Sequence, residues 1–144
     1  MTTAGVTRSE EETTAFAADF AARLAPGAIV LLFGDLGAGK TAFVRGLALG
    51  LGLDPDVVSS PTFTLIQHYR GAPSLYHADL YRLQGGAEVD DLGLDELASG
   101  DAIVAIEWAE KMPRRLAGAW EVRIEDRGGD ERLVTVTHPE NGGG

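Results

Sequence analysis

The octapeptide Gly34-Asp35-Leu36-Gly37-Ala38-Gly39-Lys40-Thr41 constrains this chain more than any other feature, because it matches G-x-x-x-x-G-K-[ST] in full. The pattern carries a structural condition, a strand before it and a helix after it. Both flanks meet that condition. Residues 28–33 (AIVLLF) are a short, continuous apolar run between Gly27 and Gly34, as expected of a strand buried on both faces of a parallel sheet. Residues 42–51 read as a helix stopped by Gly50 and Gly52, with its first turn starting near Lys40. Gly34 and Gly39 admit backbone angles that a Cβ would oppose, so successive N–H groups of residues 34–41 turn inward and enclose phosphate oxygens. The positive end of the helix dipole points at the same anion. Lys40 is placed to reach β and γ phosphates, and the Thr41 hydroxyl to ligate Mg²⁺. The expected nucleotide contacts are thus Gly34, Asp35, Leu36, Gly37, Ala38, Gly39, Lys40 and Thr41, continuing into Ala42.

The rest of the chain supplies a sheet for this loop. Ser9 and Glu12 have capping-box spacing, and Phe16, Phe20 and Leu24 recur every fourth residue, which places an amphipathic helix ending at Pro26 and Gly27. Residues 62–69 and 74–82 read as a hairpin turning at 70–73. Residues 86–99 read as one or two short surface helices broken at Gly93. Residues 102–106 (AIVAI) form a second doubly buried strand that runs into Glu107 and Trp108. Residues 120–124 and 134–136 alternate apolar with polar and flank a turn at 127–130, predicting a terminal antiparallel hairpin. Residues 1–8 and 141–144 show no pattern and are expected to fray. The predicted fold class is α/β, a P-loop NTPase-like, mostly parallel or mixed central sheet flanked by helices, with antiparallel hairpins. A length of 144 residues suits a single domain.

Charge and composition exclude several functions. Acids outnumber bases 22 to 12, giving a net charge of -10, whereas nucleic-acid affinity rests on Lys and Arg neutralising phosphates. Direct, tight binding to RNA or DNA is disfavoured. The absence of cysteine removes disulfides, thiolate zinc sites and cysteine nucleophiles together. No apolar run approaches the roughly 18 residues that span a bilayer, and the polar, acidic start does not look like a secretory signal, so a cytoplasmic location is expected.

Hydrolysis needs more than a phosphate cradle: a second Mg²⁺ contact and a group that positions water. Glu107 follows an apolar strand, and ligands of open α/β sheets collect outside the carboxyl ends of strands. A carboxylate there can orient the attacking water or assist the metal, and the sequence does not separate these roles. Asp79 lies in YHADLYRL with His77 two residues before it; a lone His-x-Asp pair on a strand is ordinarily a hydrogen-bonded structural feature, and zinc is not inferred. Residues 59–64 (SSPTFT) are rich in hydroxyls where a loop should return past the nucleotide, as switch loops do.

Taken in order and spacing, GDLGAGKTAFVRGLALGLG, SSPTFTLI, LYHADLYRL and IEWAEKMP resemble the TsaE (YjeE) family of bacterial ATPases required for threonylcarbamoyladenosine modification of tRNA, over residues 9–113. The resemblance implies that Lys40 and Thr41 bind phosphate and Mg²⁺. It further implies that Thr62 senses the γ-phosphate, Asp79 helps hold the metal, Glu107 binds metal or assists hydrolysis, and Trp108 lies beside the nucleotide. It places Glu11, Glu12 and Thr13 near the adenosine end, and leaves open whether Arg132 adds a contact. Ala109 stands where the family often has Pro, and Ala78 where an aromatic is common. The implied activity is Mg²⁺-dependent ATP hydrolysis that resets a complex of the TsaB and TsaD proteins, with tRNA engaged only through that complex; weak hydrolysis by the isolated chain is expected because P-loop rates often depend on groups supplied by a partner. Three other readings are weighed against it. A GTPase would carry an Asn-Lys-x-Asp stretch, and the only asparagine is Asn141. A small-molecule kinase would need an Arg-rich lid, and Arg114 and Arg115 are the only adjacent basic pair. A nucleotide-dependent binding switch with negligible turnover would share every motif.

Overall fold

The computed structural model describes residues 2–34, 39–54, 66–71, 73–80, 100–111 and 118–139. Among them the order is β1 (Thr2–Thr7), α1 (Glu10–Ala21), β2 (Ile29–Phe33), α2 (Lys40–Gly50), β3 (Ile66–Tyr69), β4 (Leu75–Asp79), β5 (Ile103–Glu107), a 3-10 turn (Ala109–Lys111), β6 (Trp120–Gly128) and β7 (Glu131–Thr137). One seven-stranded sheet runs β1-β7-β6-β2-β5-β4-β3. Its centre is parallel, with β2 between β5 and β6 and β4 outside β5. Antiparallel hairpins, β3–β4 and β6–β7, close the two sides, and β1 adds antiparallel to β7. The mixed α/β class and both hairpins agree with the sequence reading.

Helix α1 starts as its capping box dictates. Ser9 accepts a hydrogen bond from the Glu12 N–H at 3.0 Å, and the Glu12 carboxylate accepts one from the Arg8 N–H at 3.0 Å. Three acids in the first turn add favourable charge at the dipole's positive end. Ser9→Ala should therefore destabilise the protein by about 1 kcal/mol, read as a fall of about 2–4 °C in thermal midpoint. An unchanged midpoint would show that α1 is held by packing alone. The helix ends at Ala21, earlier than Pro26 suggests, and two 3-10-type bonds, Arg23 N–H to Phe20 and Leu24 N–H to Ala21, tighten the exit.

Residues 2–7 correct the expectation of a frayed end, since they form β1 along Arg132–Thr137 of β7. Four of the six are exposed, so an edge strand of this kind carries no apolar alternation to read. Backbone pairing and a buried bond between the Thr7 and Thr13 hydroxyls, 2.7 Å, hold it instead. The expected segments at 62–65, 81–82, 86–99 and 141–144 lie outside the described residues.

The sheet buries both faces. On one, α1 and α2 cover Val30, Leu32, Leu75, Ile103, Ala105, Val122 and Ile124. Phe20 and Phe43 anchor that side; each contributes about 1.5–3 kcal/mol by burial, and Phe20 meets Trp120 edge-on at 4.9 Å. The helices pack closely because Gly46 faces α1; a Cβ there would lie 2.3 Å from the Thr14 carbonyl oxygen and 2.4 Å from the Ala17 Cβ. On the other face Leu31, Phe33, Ala78, Leu80, Val104 and Ile106 form a second cluster edged by Trp108 and Tyr76.

Candidate nucleotide-binding site

The site collects at the carboxyl ends of β2, β5 and β4, where open α/β sheets place ligands. Register puts Glu107 level with Leu32 on one side and with Asp79 on the other. Residues paired in register project to the same face of the sheet, and residues two apart on a strand share a face. His77, Asp79 and Glu107 therefore lie on the face of Leu75 and Ile103, which is the face α2 covers. The Leu80 N–H, bonded to the Glu107 carbonyl at 3.1 Å, keeps these strand ends together.

Gly39 is the N-cap of α2, with φ 104° and ψ 18° and no side-chain cap bond. Nothing lies within 4 Å of a Cβ built there, so backbone angle and not space demands glycine. No side-chain cap bond is made at the N-terminus of α2, and the N–H groups of a helix's first turn are suited to receive an anion. Gly34, φ 150°, opens the loop at the end of β2; its N–H bonds the Glu110 carboxylate at 3.3 Å, from the 3-10 turn after β5.

Lys40 is 4% exposed. Its ammonium donates to the Gly34 carbonyl at 2.6 Å and sits 3.6 Å from the centre of the Trp108 ring. A buried cation is costly unless such partners hold it, and the aromatic face is one that attracts it. Trp108 achieves that placement with φ 59°, the one non-glycine positive φ among the described residues. A bulky side chain in that region is strained by about 1–3 kcal/mol, a cost characteristic of sites where the surroundings dictate the conformation.

The Thr41 hydroxyl, one residue on, donates to Oε2 of Glu107 at 3.4 Å. The same oxygen accepts a hydrogen bond from Nε2 of His77. Glu107 is 3% and Asp79 9% exposed, so two largely dry carboxylates lie level on β4 and β5, with the Thr41 hydroxyl of α2 on one of them. Hard oxygen donors of this kind suit Mg²⁺.

The family model for TsaE, described as threonylcarbamoyl adenosine biosynthesis protein TsaE, matches residues 7–134. The chain belongs to the TsaE family. Among its relatives is the tRNA threonylcarbamoyladenosine biosynthesis protein TsaE of Bacillus subtilis (strain 168), 44% identical over 133 residues, which are 91% of this chain and 82% of that protein. The protein of the same description from Rickettsia bellii (strain RML369-C) is 42% identical over 135 residues, 92% of this chain and 93% of that one. Among solved structures, Bacillus subtilis YdiB superposes with a TM-score of 0.76 at 37% identity, covering 98% of this chain and 88% of that one. The TsaE role is in threonylcarbamoyladenosine biosynthesis, a tRNA modification, and the fold is the P-loop fold of the family.

Of the residues expected from sequence, this TsaE chain brings Gly34, Gly39, Lys40, Thr41, Asp79, Glu107 and Trp108 to one end of the sheet, with Ala42 buried in the first turn of α2. Asp35, Leu36, Gly37, Ala38 and Thr62 lie outside the described residues. Thr13 is buried and its hydroxyl bonds Thr7. Arg132 bonds Asp126 and the Gly129 and Glu131 carbonyls within the β6–β7 hairpin. Two contacts of the site escaped the sequence reading: His77 on Glu107 and Glu110 on Gly34. For His77 a signal existed, since it shares a strand face with Asp79. No helix among the described residues is long and apolar enough to cross a membrane.

Proposed function

We propose that this TsaE chain binds ATP with Mg²⁺ and hydrolyses it in the service of a TsaB and TsaD complex in the cytoplasm, touching tRNA only through that complex. The observation that carries this reading is the meeting of the Thr41 hydroxyl with the Glu107 carboxylate at the N-terminus of α2, the helix that the buried Lys40 opens. In this reading the amides of residues 34–41 cradle the phosphates and Lys40 places its charge on the β and γ groups. Thr41 and Asp79 hold the metal, and Trp108 borders the nucleotide. Mg²⁺, when bound, supplies charge that neutralises the leaving phosphate oxygens. Glu107 steadies the metal's surroundings through Thr41 and receives the proton of the water that attacks the γ-phosphorus, as the bond to the leaving ADP oxygen breaks. Thr62 is assigned to sensing the γ-phosphate. The net charge of -10 supports action through protein partners, because such a subunit needs no basic RNA groove of its own.

Partner-supplied groups raise hydrolysis by P-loop proteins by about 10³-fold or more in strong cases. Phosphate release by the chain alone should accordingly be slow and should rise when purified TsaB and TsaD are added. A rate unchanged by the partners would remove partner activation; no release under either condition would leave a binding switch.

A further inference from the structure

We propose that His77 is a positioning residue for the hydrolytic carboxylate, holding Glu107 by its Oε2 oxygen so that Oε1 is turned to the reacting water. This inference rests on the hydrolytic reading of the site and adds to it a residue on a neighbouring strand. His77 is fully buried at the centre of β4, two residues from Leu75 and two from Asp79 on the same face. An imidazole in such a place loses solvation that an aliphatic side chain would not. Its Nδ1 finds no hydrogen-bond partner among the described residues, so its visible polar contact is the one from Nε2 to Glu107. Because a carboxylate accepts, Nε2 must carry the hydrogen in that bond. A histidine kept only to fill the core would not need this orientation.

The geometry at Glu107 gives the bond a consequence. Thr41 and His77 both donate to Oε2, from α2 on one side and β4 on the other, and Oε1 takes neither bond. The His77 bond, with the Thr41 hydroxyl 3.4 Å away on the other side, orients a carboxylate that sits at the last position of β5, where the chain is about to turn into the strained Trp108. Outer partners that orient reacting or ligating groups are worth about 10–100-fold in activity or affinity.

The test compares His77→Leu, which keeps bulk and removes the donor, with His77→Gln, whose Nε2 reaches the same position. Phosphate release is measured with the partner proteins present, and kcat is expressed per nucleotide-binding site counted by calorimetric titration, so that unfolded molecules do not enter. H77L should lower kcat per site by about 10–100-fold, with MgATP affinity moved by less than about threefold. H77Q should recover most of the loss. Equal kcat in H77L and the wild type overturns the proposal, as does a loss in kcat that H77Q shares in full. Should H77L not fold, H77M makes the same comparison.

A second readout needs neither nucleotide nor activity. Nitrogen-15 NMR of the imidazole should show the hydrogen on Nε2, with a downfield proton resonance that moves in Glu107→Gln as the acceptor loses its charge. An Nε2 that carries no hydrogen, or a resonance indifferent to E107Q, sinks the proposal. If the wild type releases no phosphate while this signature is present, the hydrolytic reading has failed and the contact between His77 and Glu107 stands.

Discussion

Lys40→Ala should weaken MgATP binding by at least about 100-fold, the loss expected when charged hydrogen bonds worth about 1.5–3 kcal/mol each are removed. Calorimetric titration of the folded variant with ATP and Mg²⁺ measures it. The structure explains why the loss should fall on binding. Lys40 opens α2 directly after a left-handed Gly39, so its position follows from the turn and its stem is buried with 4% exposure. In the free protein the ammonium meets the Gly34 carbonyl and the Trp108 ring. A phosphate oxygen is a stronger acceptor for an ammonium than either. Binding therefore adds charge-assisted bonds from the ammonium to phosphate, and alanine removes that gain. Wild-type affinity in a folded K40A protein would mean that nucleotide binds elsewhere, and the assignment of residues 34–41 would fall with it.

How much of this site was readable before folding depends on the range of the contacts. Gly39, Lys40 and Thr41 are legible because the loop, its preceding strand and its following helix are contiguous, and local backbone requirements select the residues. Glu107 was legible for a similar reason, as the acid ending an apolar run. The structure makes it the last residue of β5 itself, which fixes its face by alternation. Strand β1 was not legible, because an edge strand exposed at most positions is specified by the backbone of β7 and by Thr13, which lies in the next element. The meeting of His77 with Glu107 was not legible either. It requires β4 to lie beside β5 with Asp79 opposite Glu107, and that register depends on pairing between segments about thirty residues apart. Trp108 shows a further limit: the sequence places an indole next to Glu107, but only a positive φ turns it beneath the ammonium of Lys40.

Glu107→Gln should separate binding from turnover, with kcat for ATP hydrolysis falling by about 10²–10⁴-fold, the range a positioned proton acceptor supplies. Glutamine suits this test better than alanine because its amide oxygen can still accept from Thr41 and His77. Alanine would leave the buried His77 donor without its partner at a cost of about 1–3 kcal/mol, and would mix instability with lost chemistry. A neutral amide oxygen can also still face a metal, so MgATP affinity should stay within about tenfold of the wild type, whereas it cannot take the proton of attacking water. Single-turnover phosphate release beside titration with a non-hydrolysable analogue gives the two numbers. Should E107Q hydrolyse ATP at the wild-type rate, Glu107 is no proton acceptor, and its contacts with Thr41 and His77 only shape the metal's surroundings. Should affinity collapse along with the rate, its main task is to hold Mg²⁺, and the water must be positioned by another group. Carrying E107Q into tRNA modification then tests the consequence: a variant that binds ATP, fails to turn over and fails to support modification ties the carboxylate at the end of β5 to the cycle itself, while one that still supports it makes nucleotide binding sufficient.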